Sequence, residues 1–218
     1  FGLTTVEAAL EAGCHHIDTT GEQGYIRSVR DRFGDLYAQA GLLVAPSTAY
    51  MYTFAEIAAE LALETRGIDA LETATLCRGQ RGGASGVTVG STASIFELYR
   101  QEACYLWEKQ LVPYPAGTTA NVIDPGFVQP VFSLPWGGTS LPVFFQRDAR
   151  VRSCSSYVGF YDNNVMQLVH GLGQKWEAEY KNLPRDHQDA VIKQIVDSTT
   201  PSMPPRERTT TMRTVDFA

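Results

Sequence analysis

The sequence has no glycine-rich phosphate signature. Neither G-x-G-x-x-G nor G-x-x-x-x-G-K-[ST] occurs in its 218 residues, which excludes a nucleotide-phosphate loop of either kind from this stretch. Cysteine is scarce. The four present, Cys14, Cys77, Cys104 and Cys154, form no C-x-x-C pair, and no N-x-S/T acceptor occurs. That spacing speaks against a disulfide framework and for a reducing compartment, so a cytoplasmic location is expected. No run of about 18 apolar residues exists, so no transmembrane helix is expected. No signal-peptide pattern is present. An initiator methionine is missing as well: the chain opens at Phe1 and enters a helical pattern almost at once. This leads us to expect a piece of a longer protein. Basic residues are outnumbered, 18 Lys and Arg against 24 Asp and Glu, for a formal net charge of −6. An acidic chain repels phosphate backbones, so nucleic acid is not an expected partner. No Ser-His-Asp or Cys-His arrangement follows from the spacing, and a hydrolase has no support.

What is present is ordinary globular material, 44% hydrophobic and 19% charged, enough for a packed core. The first third alternates helix and strand. Val6, Ala9 and Leu10 predict a helix from Thr4 to Ala12, stopped by Gly13. Cys14 to Asp18 reads as a strand and Thr19 to Glu22 as a turn. Ile26, Val29, Phe33, Leu36 and Tyr37 predict a helix from Gln23 to Ala40, ended by Gly41. Leu42 to Ala45 reads as a strand buried on both faces, and a third helix is expected from Phe54 to Glu64. This rhythm is that of a doubly wound sheet, in which ligands bind beyond the carboxyl ends of the strands. The loops 18–25 and 46–53 are therefore the ones to watch.

The texture changes near Gly67, which divides the chain into residues 1–67 and an α+β unit, 68–218, cut short at its end. Leu71 to Cys77 predicts a strand, and Arg78 to Ser85 a glycine-rich loop. Gly90 to Leu111 predicts one long helix burying Ile95, Leu98, Tyr99, Leu106 and Trp107. Residues 113–142 read mostly as loop. A β-hairpin is expected from Pro142–Gln146 and Val151–Tyr157. Asp162 is placed to cap a helix from Asn163 to Lys181, and Pro184 to open another, to Val196. Thr199 to Arg213 reads as an extended connector, with a strand beginning at Met212.

Each candidate motif has a plain structural alternative. Gly79 to Gly86 is by default a surface loop rather than an anion seat. Cys14-His15-His16-x-Asp18 suggests a metal, but on a strand His15 and His16 point to opposite faces, so no metal site is expected. In Asp18-Thr19-Thr20-Gly21-Glu22-Gln23, Thr20 capping the helix and Glu22 favouring its positive end compete evenly with a role in orienting a ribose or a polar substrate group. Tyr50, after Pro46-Ser47-Thr48, is either a packed interface tyrosine or a proton donor. Trp136 to Ser140 and Tyr157 to Asn164 are turns with packed aromatics or the lining of a substrate cleft.

The stretch from Phe1 to Glu64 resembles the saccharopine dehydrogenase-like oxidoreductases. In that family a GPF-type loop leads into a helix ending AAL-x-AG, then HY-x-D-T-T-G-E, a helix and an apolar strand. Gly2, Ala8-Ala9-Leu10, Ala12-Gly13, His15-His16-Ile17-Asp18 and Thr19-Thr20-Gly21-Glu22 match that pattern, with His16 where Tyr is commoner. From Leu71 onward the chain looks like the second domain of an uncharacterised, actinobacterial-type subgroup. The resemblance implies the latter half of a Rossmann-like domain followed by an α+β substrate or dimerisation domain, with NADP or NAD as cofactor. It implies that Asp18, Thr20, Gly21, Glu22 and Ser47 border the cofactor's nicotinamide side and that Tyr50 donates a proton. The glycine fingerprint would lie on a first strand that is absent here. The substrate would be a small or lipid-linked molecule, as for saccharopine reductases or trans-acting enoyl reductases. A non-catalytic Rossmann-like binding or scaffold protein, and a homodimer through the second unit's sheet, remain open at this point.

Overall fold

The computed structural model describes residues 2–78, 89–126, 129–135, 140–198 and 213–217. Helix α1 (Leu3–Glu11), strand β1 (His16–Ile17), helix α2 (Gln23–Gln39) and strand β2 (Val44–Ala45) come first. Both helices end in the expected glycine. Gly13 and Gly41 each sit at φ 67°, where a side chain would be strained. The amides of Cys14 and Leu42 reach back to the carbonyls of Ala9 and Tyr37, both at 2.8 Å, the pairing that satisfies a helix's last carbonyls. β1 and β2 pair in parallel, His16 with Val44 and Ile17 with Ala45. The two helices cover one face with Val6, Val29, Phe33 and Tyr37, and Val44 packs against them. The opposite face is open: Ile17 is 60% and Leu43 49% exposed. The segment Leu42 to Ala45 is thus covered on one face rather than two. An apolar run alone does not distinguish these cases. Leu36, expected with the buried stripe of α2, is also exposed.

Helix α3 (Tyr50–Leu63) leads to strand β3 (Ala70–Arg78), followed by α4 (Val89–Arg100), β4 (Cys104–Trp107), β5 (Gln110–Pro113), β6 (Ala120–Asp124) and β7 (Gln129–Pro135). After α5 (Leu141–Phe145) come β8 (Ser153–Phe160), α6 (Asn163–Lys175), a π turn (Trp176–Tyr180), α7 (Arg185–Ser198) and β9 (Arg213–Phe217). The architecture is mixed α/β around a seven-stranded sheet that is mostly antiparallel. Among the described residues only β3 and β8 run parallel in it, paired from Ala70–Ser153 to Cys77–Phe160. β9 closes the other edge of β3.

Three expectations for this region give way. The long helix from Gly90 to Leu111 stops at Arg100, and β4 and β5 form a hairpin instead. Its two-residue turn, Glu108 and Lys109, has φ 46° and 65°, the left-handed geometry that matches strand twist. Cys104 and Leu106 are buried while Trp107 is 54% exposed, so period 2 overrides period 3.6. Residues 113–142 are not mostly loop: β6 and β7 pair from Ala120–Ser133 to Asp124–Gln129, with Pro130 and Pro135 near the ends of β7, where a missing N–H is tolerated. The hairpin expected around residues 147–150 is absent. Pro142 opens the short helix α5, whose Leu141, Val143 and Phe145 are buried, and β8 pairs with β3 rather than with residues 142–146. The helices at Asn163 and Arg185 stand where expected, and Asp162 caps the first by accepting from the Asn164 amide at 3.1 Å. The proposed loop 79–86, residues 136–139 of the aromatic cluster and the connector 199–212 lie outside the described residues.

The edge of β8 facing away from β3 has two partners in succession. β4 pairs at Leu106–Cys154, and β7 pairs from Pro135–Tyr157 to Ser133–Gly159. Between them, Ser156 meets a side chain: its N–H donates to the Tyr114 hydroxyl at 3.0 Å, and that hydroxyl faces the Ser156 carbonyl at 3.4 Å. The tyrosine thus stands in for a missing strand, as buried backbone groups require. Helices cover one face of β8. Cys154 belongs to a core with Ala55, Ala59, Leu71, Leu106, Leu141, Phe145 and Val151. Phe160, six residues on and so on the same face, packs with Ile95, Leu134, Met166 and Val169. On the other face Gly159 has no room to grow. A Cβ there would collide with Ser133 Oγ and stand 2.9 Å from Val131 Cγ1 and 3.1 Å from Leu76 Cδ2. All three neighbours are buried, so Gly159→Ala is expected to cost about 1–3 kcal/mol by overpacking, read as a lowered urea midpoint.

Candidate functional site

Parallel pairing of β1 and β2 brings the loop after each strand to the same edge. The Asp18 carbonyl accepts both the N–H and the hydroxyl of Thr48, each at 2.8 Å. Ser47 Oγ donates to the Thr20 carbonyl at 2.6 Å. Ser47 is buried and sits at φ 64°, a conformation costly for a residue with a side chain. The second loop is therefore fastened to the first, and Ser47 is spent in fastening it.

The Asp18 carboxylate is the centre of the first loop. It accepts from the Thr20 N–H at 2.8 Å, from the Tyr25 hydroxyl at 2.7 Å and from His16 Nε2 at 2.9 Å. Burial pushes this carboxyl up, but the Tyr25 phenol, the Thr20 amide and His16 together outweigh it, and the group sits below the usual Asp range. Tyr25 is pushed well up, first by burial and then by the Asp18 it donates to. Asp18 stays ionised and Tyr25 stays protonated, each holding the other. His15, on the other face of the strand, takes the Leu43 N–H on Nδ1 at 2.9 Å. Among the described residues no group of three or more His, Cys, Asp or Glu is placed to hold a metal.

The remaining residues singled out in the sequence fall around this knot. Gly21 is buried. Glu22 is the N-cap of α2 but makes no side-chain cap bond, so neither it nor Thr20 caps the helix through its side chain. That role passes to Gln101, from the segment after α4, whose Oε1 accepts the Gly24 N–H at 3.1 Å. Tyr50 opens α3 and is 47% exposed. Tyr52, two positions after Tyr50, is pushed well up by burial and then by the charges of Glu22 and Tyr50. It is a protonated phenol within electrostatic reach of the Glu22 carboxylate. Tyr157 to Asn164 forms the end of β8 and the cap of α6: Val158 and Gly159 are buried, and Tyr157 meets the Tyr114 ring edge-on with centroids 6.1 Å apart.

A cleft of about 770 Å³ lies where α1 and α2 meet the β4–β5 hairpin, with Tyr25, Arg27, Ser28, Gln101, Glu102 and Cys104 in its lining. The joint beside it is polar. Gln23, 4% exposed, gives Nε2–H to the Cys104 carbonyl at 2.9 Å and accepts the Cys104 N–H at 2.8 Å. Further along α2, Arg30 donates to the Val143 carbonyl at 3.1 Å and to Gln146 at 2.9 Å.

The chain belongs to a family of unknown function (DUF5938), which matches residues 53–218. Among solved structures it is similar to an apo histidine-tagged saccharopine dehydrogenase (L-Glu forming) from Saccharomyces cerevisiae, with a TM-score of 0.39 and 11% identity. That similarity covers 94% of this chain and 52% of the other, so the chain spans about half the length of the protein it resembles. No curated protein matches. No helix among the described residues is long and apolar enough to cross a membrane.

Proposed function

We propose that the chain is the substrate-facing part of an NAD(P)-dependent oxidoreductase acting on a small or lipid-linked molecule, with residues 1–67 closing a Rossmann-like domain and residues 68–218 forming the substrate domain. One observation carries this reading. The D-T-T-G-E loop and the P-S-T loop, at the carboxyl ends of two parallel strands, are bonded to each other at the edge where such sheets bind ligands. The described residues do not fit the phosphates of a dinucleotide. Of the two helix starts at this edge, that of α2 has its Gly24 amide taken by Gln101, and neither α2 nor α3 is preceded by a glycine-rich loop. We assign the redox end of the cofactor to this edge instead. Thr20, Gly21 and Glu22 would border the nicotinamide and its ribose, which supplies the hydride chemistry when bound. Asp18 and Ser47 position that loop, and Tyr50 or its neighbour Tyr52 would hold the proton for the reduced group.

The test is fluorescence titration with NADPH and NADH. The full protein is expected to bind one of them in the micromolar range, and failure to bind either at millimolar concentration sinks the reading. The 218-residue chain alone is expected to bind neither below about 1 mM, because phosphate contacts supply much of dinucleotide affinity. A second reading, a non-catalytic binding or scaffold protein, is favoured by one fact: the Asp18 carboxylate and Ser47 hydroxyl are consumed within the loop. Binding without turnover of any carbonyl or imine substrate would favour it.

A further inference from the structure

Helix α3 is apolar on two opposite sides. Ala55 and Ala59 are buried against the sheet, with Ala62 and Leu63 beside them. On the far side Tyr50, Phe54, Ile57 and Leu61 are 47%, 56%, 49% and 60% exposed. Their four-three-four spacing places them on one strip, turned about half a revolution from Ala55 and Ala59. An ordinary surface helix has one apolar strip, and a second marks a contact face. Along one flank of this strip run Glu56, Glu60 and Glu64, one turn apart. A groove of about 460 Å³ lies there, with these carboxylates beside Ile57, Leu61 and Leu63. Arg150, the cation in that lining, is already committed. It forks onto Glu60 through two 2.8 Å bonds and also holds Asp148. Glu56 and Glu64 have no ion-pair partner among the described residues. Burial, and then the charge of Glu60, pushes the Glu56 carboxyl up, so an added cation beside it is favoured.

We propose that this face of α3 is a docking site for an amphipathic helix of a partner protein carrying Lys or Arg along one flank of its own apolar stripe. The apolar strip supplies anchors at i, i+4, i+7 and i+11, a single helix face on which an amphipathic helix can lay its own apolar stripe, and Glu56 and Glu64, two turns apart, select the basic flank. A second copy of the chain is the poorer occupant. It brings the same acidic flank and an overall charge of −6, and the four side chains expose only roughly 400 Å² per copy, less than a stable dimer buries.

Two synthetic helical peptides test it, both with leucine at every a and d position, one flanked by lysine and one by glutamate. In anisotropy titrations at low salt the lysine peptide is expected to bind with a Kd on the order of 10 μM, and the glutamate peptide at least about tenfold more weakly. Leu61→Asp should weaken the lysine peptide about tenfold with an unchanged urea midpoint, and Ile57→Asp is the second such variant. Glu56→Gln with Glu64→Gln should abolish the preference between peptides. No binding of either peptide, equal binding of both, or binding indifferent to both apolar variants would overturn the proposal. So would a dimer, seen by sedimentation, that Leu61→Asp dissolves, since it would assign the face to a second copy.

Discussion

Replacing Gln23 with methionine is expected to lower the unfolding free energy by about 3 kcal/mol, and no other side-chain exchange of equal volume in α2 should approach it. The amide of Gln23 exchanges two hydrogen bonds with the backbone of Cys104, at 2.9 and 2.8 Å, where water is excluded. Methionine keeps the volume and loses both bonds. The Cys104 N–H and carbonyl are then buried without partners, at about 1–3 kcal/mol each. Because Cys104 is in β4 and Gln23 begins α2, the loss falls on the joint between the two sheets. Urea unfolding followed by tryptophan fluorescence, which reports Trp107 and Trp176 in the second sheet and its helices, reads the shift. A change below about 0.5 kcal/mol would mean that water replaces the amide and that the joint is not buried in solution.

Asp18→Ala is the second large effect, expected at about 2–4 kcal/mol. It removes the charged acceptor of three hydrogen bonds and leaves the Tyr25 hydroxyl and the Thr20 amide without their partner. The same group gives a pH signature. Its carboxyl is held below the usual Asp value in the fold, so its contribution is complete above the unfolded pKa of about 3.9 and disappears as pH falls through the folded one. The wild type should therefore lose stability below about pH 4 more steeply than Asp18→Ala does. Tyr25 works in the opposite direction: its phenol is raised in the fold, so its contribution is present up to the unfolded value of about 10 and is lost above it. Parallel acid limbs for wild type and variant, measured by urea midpoint against pH, would show that Asp18 is not the hub described.

The same residues explain what was legible beforehand. Gly13 and Gly41 announced the ends of α1 and α2 because the left-handed position they occupy is nearly closed to other residues. The pattern at Ile26, Val29, Phe33 and Tyr37 announced the buried face of α2. The two candidate loops stood out as the segments that follow the first two strands of the helix–strand alternation. The β4–β5 hairpin was not, since its turn is Glu108-Lys109, without the glycine or asparagine that usually marks it, and its apolar residues run on from the pattern of α4. Partners distant in sequence were hidden altogether. Gln101 stopping the start of α2, Gln23 pairing with Cys104 and Tyr114 filling the edge of β8 join positions from 42 to 81 residues apart, and no local pattern encodes them. For Asp18 the sequence allowed a ligand-facing or a structural role; its carboxylate is engaged by three near neighbours, and one of them, Tyr25, is a helix residue that the loop motif does not include.

The divided edge of β8 makes the sheet modular. The β4–β5 and β6–β7 hairpins each hang on β8 separately, and across the gap between them the Tyr114 phenol is the tie. The segment joining them, residues 115–119, forms a turn closed by Thr118 onto Pro115 at 3.1 Å and belongs to no ladder. Its length is therefore nearly free: doubling it changes loop-closure entropy by only about 0.6 kcal/mol. Descendants of this chain can lengthen or trade the β6–β7 leaf without disturbing the spine on which both leaves turn.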